Sequence, residues 1–148
     1  MSMNQQQLEA FVQSGFAQAA FCGDLGIRPT ACGPGWVETE LAILRRHSQQ
    51  NGFVHAGVQS TIADHTAGVA AATTVAEGFS VLSVEFKVNL LRPALCDILL
   101  CRAEVLKAGK HICVVEAEVF ALKDGAKRLF SKATVTVAVM PIADTQPR

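Results

Sequence analysis

Apolar and polar positions change period several times along this chain, and each change marks an element. Leu8, Phe11, Val12, Phe16 and Ala19 recur at spacings of three and four. That predicts a short amphipathic helix over about residues 5–20, with Gly15 as the expected break. Gly23, Gly26, Pro29, Gly33, Pro34 and Gly35 then punctuate a turn-rich stretch. From Trp36 to Leu44 the period drops to two, with Trp36, Glu38 and Glu40 set against Val37, Leu41 and Ile43, as a half-buried strand requires. Residues from His55 to about Ala76 hold no proline and are rich in Ala, Thr and Gly. Val58, Ile62, His65 and Val69 recur there at helical spacing, and Glu77-Gly78 supplies the expected C-cap. A second stripe of the same helix, Gly57, Thr61, Asp64 and Gly68, is small or polar, so a close neighbour is expected on that side.

Four strand-like runs follow. Leu82, Val84, Phe86, Val88 and Leu90 alternate with Ser83, Glu85, Lys87 and Asn89. Residues 99–106, 112–122 and 129–140 alternate in the same way, with a slip near Val114-Val115 that predicts a bulge. The links Arg92-Pro93-Ala94, Lys107-Ala108-Gly109-Lys110 and Lys123-Asp124-Gly125-Ala126 are of hairpin size, so an antiparallel meander of four strands is expected. A single long helix covers only one face of such a sheet. The expected class is therefore α+β, a curved sheet wrapped on one helix. A long apolar strand at the sheet's edge invites a second copy, which predicts at least a homodimer.

Composition narrows the field. Of 148 residues, 50% are hydrophobic and 18% charged, enough apolar surface to offset the entropy of ordering, and no linker, repeat or low-complexity run interrupts the chain. One domain over residues 1–148 is expected, with its core at about 26–140. Thirteen basic side chains balance thirteen acidic ones, which argues against a binder of nucleic acid held mainly by phosphate contacts and leaves room only for a local basic patch. Asp97, Arg102 and Glu104 interrupt the richest apolar stretch, so no membrane span is expected. The opening Met-Ser-Met-Asn-Gln-Gln-Gln lacks the basic and apolar regions of a secretory signal. Five cysteines, an odd number without a C-x-x-C pair, read as small buried hydrophobes of a reducing cytoplasm rather than as disulfides or a metal site.

Candidate chemistry gathers where the long helix begins. Gln49-Gln50-Asn51-Gly52-Phe53-Val54-His55-Ala56-Gly57 leads into that helix. A helix start offers backbone N–H groups without intrahelical partners and a partial positive charge, a suitable cradle for an oxygen that gains negative charge. Ala56 and Gly57 lack bulk, so another molecule can approach those amides. Asp64 is the one acid in an otherwise uncharged helix, and an ionised carboxylate there is costly unless paired or solvated. It reads either as a structural carboxylate or as a nucleophile or general base. His55 reads as a residue that fixes the helix start, and Gln49 and Asn51 alone read equally well as turn residues.

The run Asn51-Gly52-Phe53-Val54-His55-Ala56-Gly57-Val58, with Asp64 nine residues after His55 and Gly68 four later, resembles the signature of hotdog-fold acyl-CoA thioesterases. The branch is the phenylacetic-acid-degradation type, similar to the 4-hydroxybenzoyl-CoA thioesterases. Ser83-Val84-Glu85-Phe86, Leu91-Arg92-Pro93-Ala94 and Lys107-Ala108-Gly109-Lys110 resemble later blocks of that family. The resemblance implies a hotdog domain that hydrolyses acyl-CoA to a free acid and coenzyme A, with no cofactor beyond the substrate's own coenzyme A. It implies that the Ala56 N–H polarises the thioester carbonyl, Gln49 lies near the scissile group, and Asp64 is nucleophile or base. Ser83 stands where some members position the water. Asn51, His55, Gly57 and Gly68 would line the substrate, and Arg92, Lys107 and Lys110 would meet the coenzyme A phosphates. Because hotdog sites form between subunits of a homodimer or homotetramer, Asp64 would face the Ala56 and Gln49 of another copy. Ala56 replaces the family's usual glycine, and Gly68 replaces a polar residue found in some relatives. Two alternatives stay open: an acyl-thioester hydratase or dehydratase using His55 or His65 with Asp64, and a non-catalytic acyl-CoA-binding module.

Overall fold

The structure, a computed structural model, describes residues 3–145. Residues 1–2, where the opening segment was read, and residues 146–148, at the end of the expected domain, lie outside it. Helix α1 (Gln5–Ala17) starts at a capping box: the Asn4 side chain accepts from the Gln7 N–H at 2.9 Å while the Gln7 carboxamide accepts from the Asn4 N–H at 3.0 Å. It buries Leu8, Val12 and Phe16. The chain breaks at Gln18-Ala19 rather than at Gly15, and a second helix, α2 (Ala20–Leu25), follows. Gly15 stays helical because it is a packing glycine: a Cβ there would lie 3.3 Å from a methyl of Val69.

The turn-rich stretch contains a strand that its glycines and prolines hide. Strand β1 (Arg28–Gly33) pairs antiparallel with β2 (Trp36–Ala42). Pro29 is tolerated because β1 is an edge strand, with a register shift between Pro29 and Ala31. Helix α3 (Ala56–Ala72) ends earlier than the expected Glu77-Gly78 cap. The hydroxyls of Thr73 and Thr74 donate to the carbonyls of Ala70 and Ala71, at 2.7 and 2.8 Å, and close the last turn there. Gly78, at φ +84°, belongs instead to the turn into the next strand.

Strands β3 (Phe79–Leu90), β4 (Ile98–Ala108), β5 (Ile112–Lys123) and β6 (Ala126–Pro141) complete a six-stranded antiparallel sheet in the order β1-β2-β4-β5-β6-β3. The four-strand meander is therefore corrected: β4, β5 and β6 form one, but β3 lies beside β6 at the far edge. The link after β3 is not a hairpin. Hydrogen bonds from Leu91 N–H to Phe130 O, Val54 N–H to Ala94 O and Ile43 N–H to Asp97 O pin it, at 2.8–2.9 Å, as it crosses back to the β2 side.

Helix α3 packs on one face of this α+β sheet. Ile62, Ala63, Ala67, Ala70 and Ala71 are buried against Val37, Leu41, Leu99, Ala103, Val115, Ala117, Val119, Val135 and Val137. The alanines let the helix backbone sit close to the strands, where larger side chains would overpack. Amid this core the Thr39 and Thr66 hydroxyls hydrogen-bond at 2.9 Å. The other face is charged: Arg102 pairs with Glu38 at 2.8 Å and lies 4.5 Å from the Trp36 ring, and Lys132 pairs with Glu116 at 2.9 Å. Among the described residues, no helix is long and apolar enough to cross a membrane. All five cysteines are free and buried, and burial pushes the Cys101 thiol up to about 12.

Two bulges revise the strand pattern. The slip expected within β5 is an extra residue, Leu106, in β4 opposite Val114-Val115. A further bulge falls at Val84 in β3, between Ser83 (opposite Val137) and Glu85 (opposite Thr136). It reverses the alternation, so Val81 and Ser83 share the helix-facing side with Phe86, Val88 and Leu90, and Leu82 turns to the other side. Phe79, Leu82, Val84, Phe86 and Leu90 are left exposed along this edge strand.

Candidate active site

The start of α3 is held by its own approach loop. After a 3₁₀ turn at Arg45–His47, the buried His47 accepts from Leu44 N–H through Nδ1 at 3.0 Å, and its carbonyl accepts from His55 N–H at 2.8 Å. Gly52, at φ +85°, lets residues 49–53 fold back, with Gln49 N–H donating to Phe53 O at 2.8 Å. His55 then caps the helix: its Nδ1 accepts from Gly57 N–H at 2.8 Å, and its carbonyl takes the N–H groups of Val58 and Gln59. A Cβ on residue 57 would stand 3.0 Å from that Nδ1, so glycine there preserves the cap.

These bonds leave one first-turn amide over. The exposed Ala56 N–H has no acceptor among the described residues, at the positive end of a 17-residue helix. Gln49, Asn51, His55, Ala56 and Arg92 line a cleft of about 570 Å³ at this point. The Gln49 carboxamide oxygen accepts from Asn51 N–H, and Arg92 donates to Leu129 O at 2.6 Å.

Two turns along the helix lies the second group. Asp64 is half-buried, and its Oδ1 accepts from the Ser83 hydroxyl at 2.7 Å. The Val84 bulge is what turns Ser83 toward it. The other carboxylate oxygen has no partner among the described residues, so it is free to attack a carbonyl or to take a proton from water. Asp64, Gly68 and Ser83 line a cleft of about 460 Å³ together with His65, Phe11 and Gln18. On its other flank Asp64 borders a cleft of about 510 Å³ with Gly57, Thr61 and Phe86. The small stripe of α3 is thus the side left uncovered, and a Cβ on Gly68 would touch nothing within 4 Å.

His65 faces α1 instead. Its Nε2 lies 3.3 Å from Gly15 O, and its ring meets Phe16 edge-on at 4.7 Å. Burial lowers its pKa, against the opposing pull of the Gly15 carbonyl and Asp64.

The structure therefore brings the expected residues together in two sets. Gln49, Asn51, His55, Ala56 and Arg92 form one, and Asp64, Gly68 and Ser83 the other, with Gly57 between them. Lys107 and Lys110 join neither, lying at the opposite end of α3: Gly35 donates to Thr73 Oγ1 at that end and accepts from Val105 N–H of the same strand. The reading of the sequence passed over Gln59, a buried polar residue that lines the first cleft beside Ala56. Its signal was a lone carboxamide within the apolar face that carries Val58 and Ile62.

Comparison with known proteins identifies the family. The Thioesterase superfamily profile matches residues 51–127, just over half of the chain. A thioesterase family protein from Silicibacter pomeroyi has 37% sequence identity and a TM-score of 0.88, over 90% of this chain and 98% of that one. The 1,4-dihydroxy-2-naphthoyl-CoA hydrolase of Listeria monocytogenes is 25% identical over 115 residues, 78% of this chain and 91% of the relative. The PaaI protein of E. coli, from the phenylacetic acid degradation operon, is similar in fold, with a TM-score of 0.82 at 15% identity over 92% of this chain and 95% of that one. A helix start with a spare amide, laid on a six-stranded antiparallel sheet and matched by that profile, establishes that the chain belongs to the thioesterase superfamily, the hotdog-fold hydrolases of thioesters.

Proposed function

We propose that this protein hydrolyses acyl-CoA thioesters at sites shared between two copies of the chain. The carrying observation is a distance along one helix. Ala56 and Asp64 are eight residues apart, about 12 Å at the rise of an α-helix, too far to act on one thioester carbon. A second copy supplies the missing half when the exposed apolar edge of β3 pairs with its equivalent, in a homodimer or a homotetramer built from such pairs.

In each shared site the Ala56 N–H binds the carbonyl oxygen and stabilises the charge that develops on it. Asp64 of the other copy attacks the carbonyl, or takes a proton from the water that does, and Ser83 holds the carboxylate in place. The carbon–sulfur bond breaks, coenzyme A leaves as its thiol, and water supplies the hydroxyl of the released acid. Gln49 supports the reacting group, Asn51, His55, Gly57 and Gly68 shape its surroundings, and Arg92, at the rim of the Ala56 cleft, is the cation offered to the phosphates. No cofactor is needed, and five free buried thiols suit a reducing cytoplasm. The histidines that a hydratase would recruit are otherwise engaged, His55 as a cap and His65 against Gly15 and Phe16.

Asp64→Asn keeps the shape and removes the reactive group. It is expected to lower thiol release from acyl-CoA about 10²–10⁴-fold, with unfolding temperature and oligomeric state unchanged. Wild-type rates in that variant, measured with a thiol reagent, overturn the mechanism.

A further inference from the structure

We infer that the cleft beside the β5–β6 hairpin holds the phosphoadenosine end of coenzyme A, with Lys123 and Arg128 as the cations that meet its phosphates. The inference rests on the proposed hydrolysis of acyl-CoA and adds where the carrier is gripped.

The hairpin closes through a two-residue turn, Asp124 at φ +49° and Gly125 at φ +75°, so Lys123 and Ala126 stand opposite each other at its tip. From there the side chains alternate between the two faces of the sheet. Arg128 is opposite Ala121, which is buried on the helix-facing side, so Arg128 and Lys123 share that side. Lys127 takes the other, where its ammonium lies 4.1 Å from the centre of the Phe120 ring. Lys123 and Arg128 line a cleft of about 280 Å³ together with Asp124, Leu95, Ala121 and Phe130.

Three observations point to a ligand there. Both cations are exposed and neither has an ion-pair partner among the described residues, whereas Arg28, Arg102 and Lys132 are all paired. Beside them Leu95, 54% exposed, and Phe130 give an apolar surface that suits a purine ring. The cleft also adjoins the one at Ala56: Ala94 lines the first and Leu95 the second. Arg92 spans the two, since it lines the Ala56 cleft while its guanidinium donates to the carbonyl of Leu129, the neighbour of Arg128. A thiol arm that leaves Ala56 past Arg92 therefore arrives at Arg128. Asp124 is the one acid of the lining, and against Lys123, Arg128 and Arg92 it leaves the site with a positive excess. The phosphomonoester and diphosphate of coenzyme A are the strongly anionic part of an acyl-CoA, and they suit such cations.

Two variants and two carriers test this. Lys123→Gln with Arg128→Gln removes both charges from the cleft, and Lys127→Gln removes one from the opposite face of the same hairpin. One acyl group is presented on coenzyme A and on N-acetylcysteamine, which has no nucleotide. The double variant is expected to raise KM for the acyl-CoA about 10–100-fold with kcat little changed, and to match the wild type on the N-acetylcysteamine thioester. Lys127→Gln is expected to match the wild type on both. An unchanged KM for the acyl-CoA overturns the inference, as does equal loss on the two carriers. A loss in Lys127→Gln as large as in the double variant overturns it too, because it marks a diffuse surface field rather than a cleft. Calorimetry with free coenzyme A reads the same site without turnover: its Kd is expected to rise in the double variant by the same factor, and equal Kd values overturn the inference. A wild type that binds coenzyme A in this way but releases no thiol from either thioester would overturn the hydrolase reading and leave this site standing.

Discussion

At the scale of single residues, burial decides what each titratable group contributes. His65 is packed against Phe16 and Gly15, and burial holds its pKa below the usual value of about 6.5. The folded protein therefore binds fewer protons than the unfolded chain just below that value, and stability rises with pH there. The contribution is complete above about pH 6.5 and is lost as pH falls through the lowered folded value. Urea unfolding between pH 5 and 8 is expected to show this slope, and His65→Gln to flatten it; an unchanged slope means that other groups cause it. Asp64 was legible as an acid in a helix that has no other charge. Ser83 was named only through the family resemblance, because its approach to Asp64 depends on the Val84 bulge, and a bulge leaves the run of residue types unaltered. Gln59 was passed over for a related reason: the burial of its carboxamide is a property of three-dimensional packing.

At the scale of elements, α3 and the sheet are joined by an apolar contact with one polar pair inside it. Replacing Thr66 alone by Val leaves the Thr39 hydroxyl buried without its partner, at an expected cost of about 1–3 kcal/mol. Replacing both by Val is expected to cost less than the sum of the single changes, because no polar group is then stranded. Urea denaturation of the four proteins in this cycle checks it, and simple additivity would mean that the two hydroxyls do not depend on each other. The helix itself and five of the strands were readable from period, since 3.6 and 2 are geometric constants of the backbone. Its end was not, because Thr73 and Thr74 close it with side chains that look like a continuation. Strand β1 was masked by its own Pro29 and the glycines around it. The place of β3 was misjudged because hairpin-length linkers suggest neighbours, whereas the hydrogen bonds of Leu91, Val54 and Ile43 carry this link across the sheet.

For the whole molecule, the unfinished edge at β3 is the feature that matters. A twelve-residue strand with Leu82 and Val84 exposed offers both unpaired backbone and apolar surface to a second copy. Leu82→Asp with Val84→Asp is expected to shift the protein to monomers in light scattering and to reduce thiol release to the same extent. A monomer with full activity would rule out shared sites. The fold class and the place where the long helix starts were legible from the sequence because the motif from Asn51 to Asp64 is contiguous. The pairing of distant halves is a matter of assembly, which periodicity cannot express.

The interval of eight residues between Ala56 and Asp64 also bears on how this protein tolerates damage. In the proposed shared site each helix lends its acid to one centre and its amide end to the other, so a lesion in one of these groups disables a single centre. Two subunits with different lesions, one lacking the acid and the other the amide end, would then assemble one complete centre between them. Such lesions complement each other, whereas two copies of the same lesion leave nothing intact.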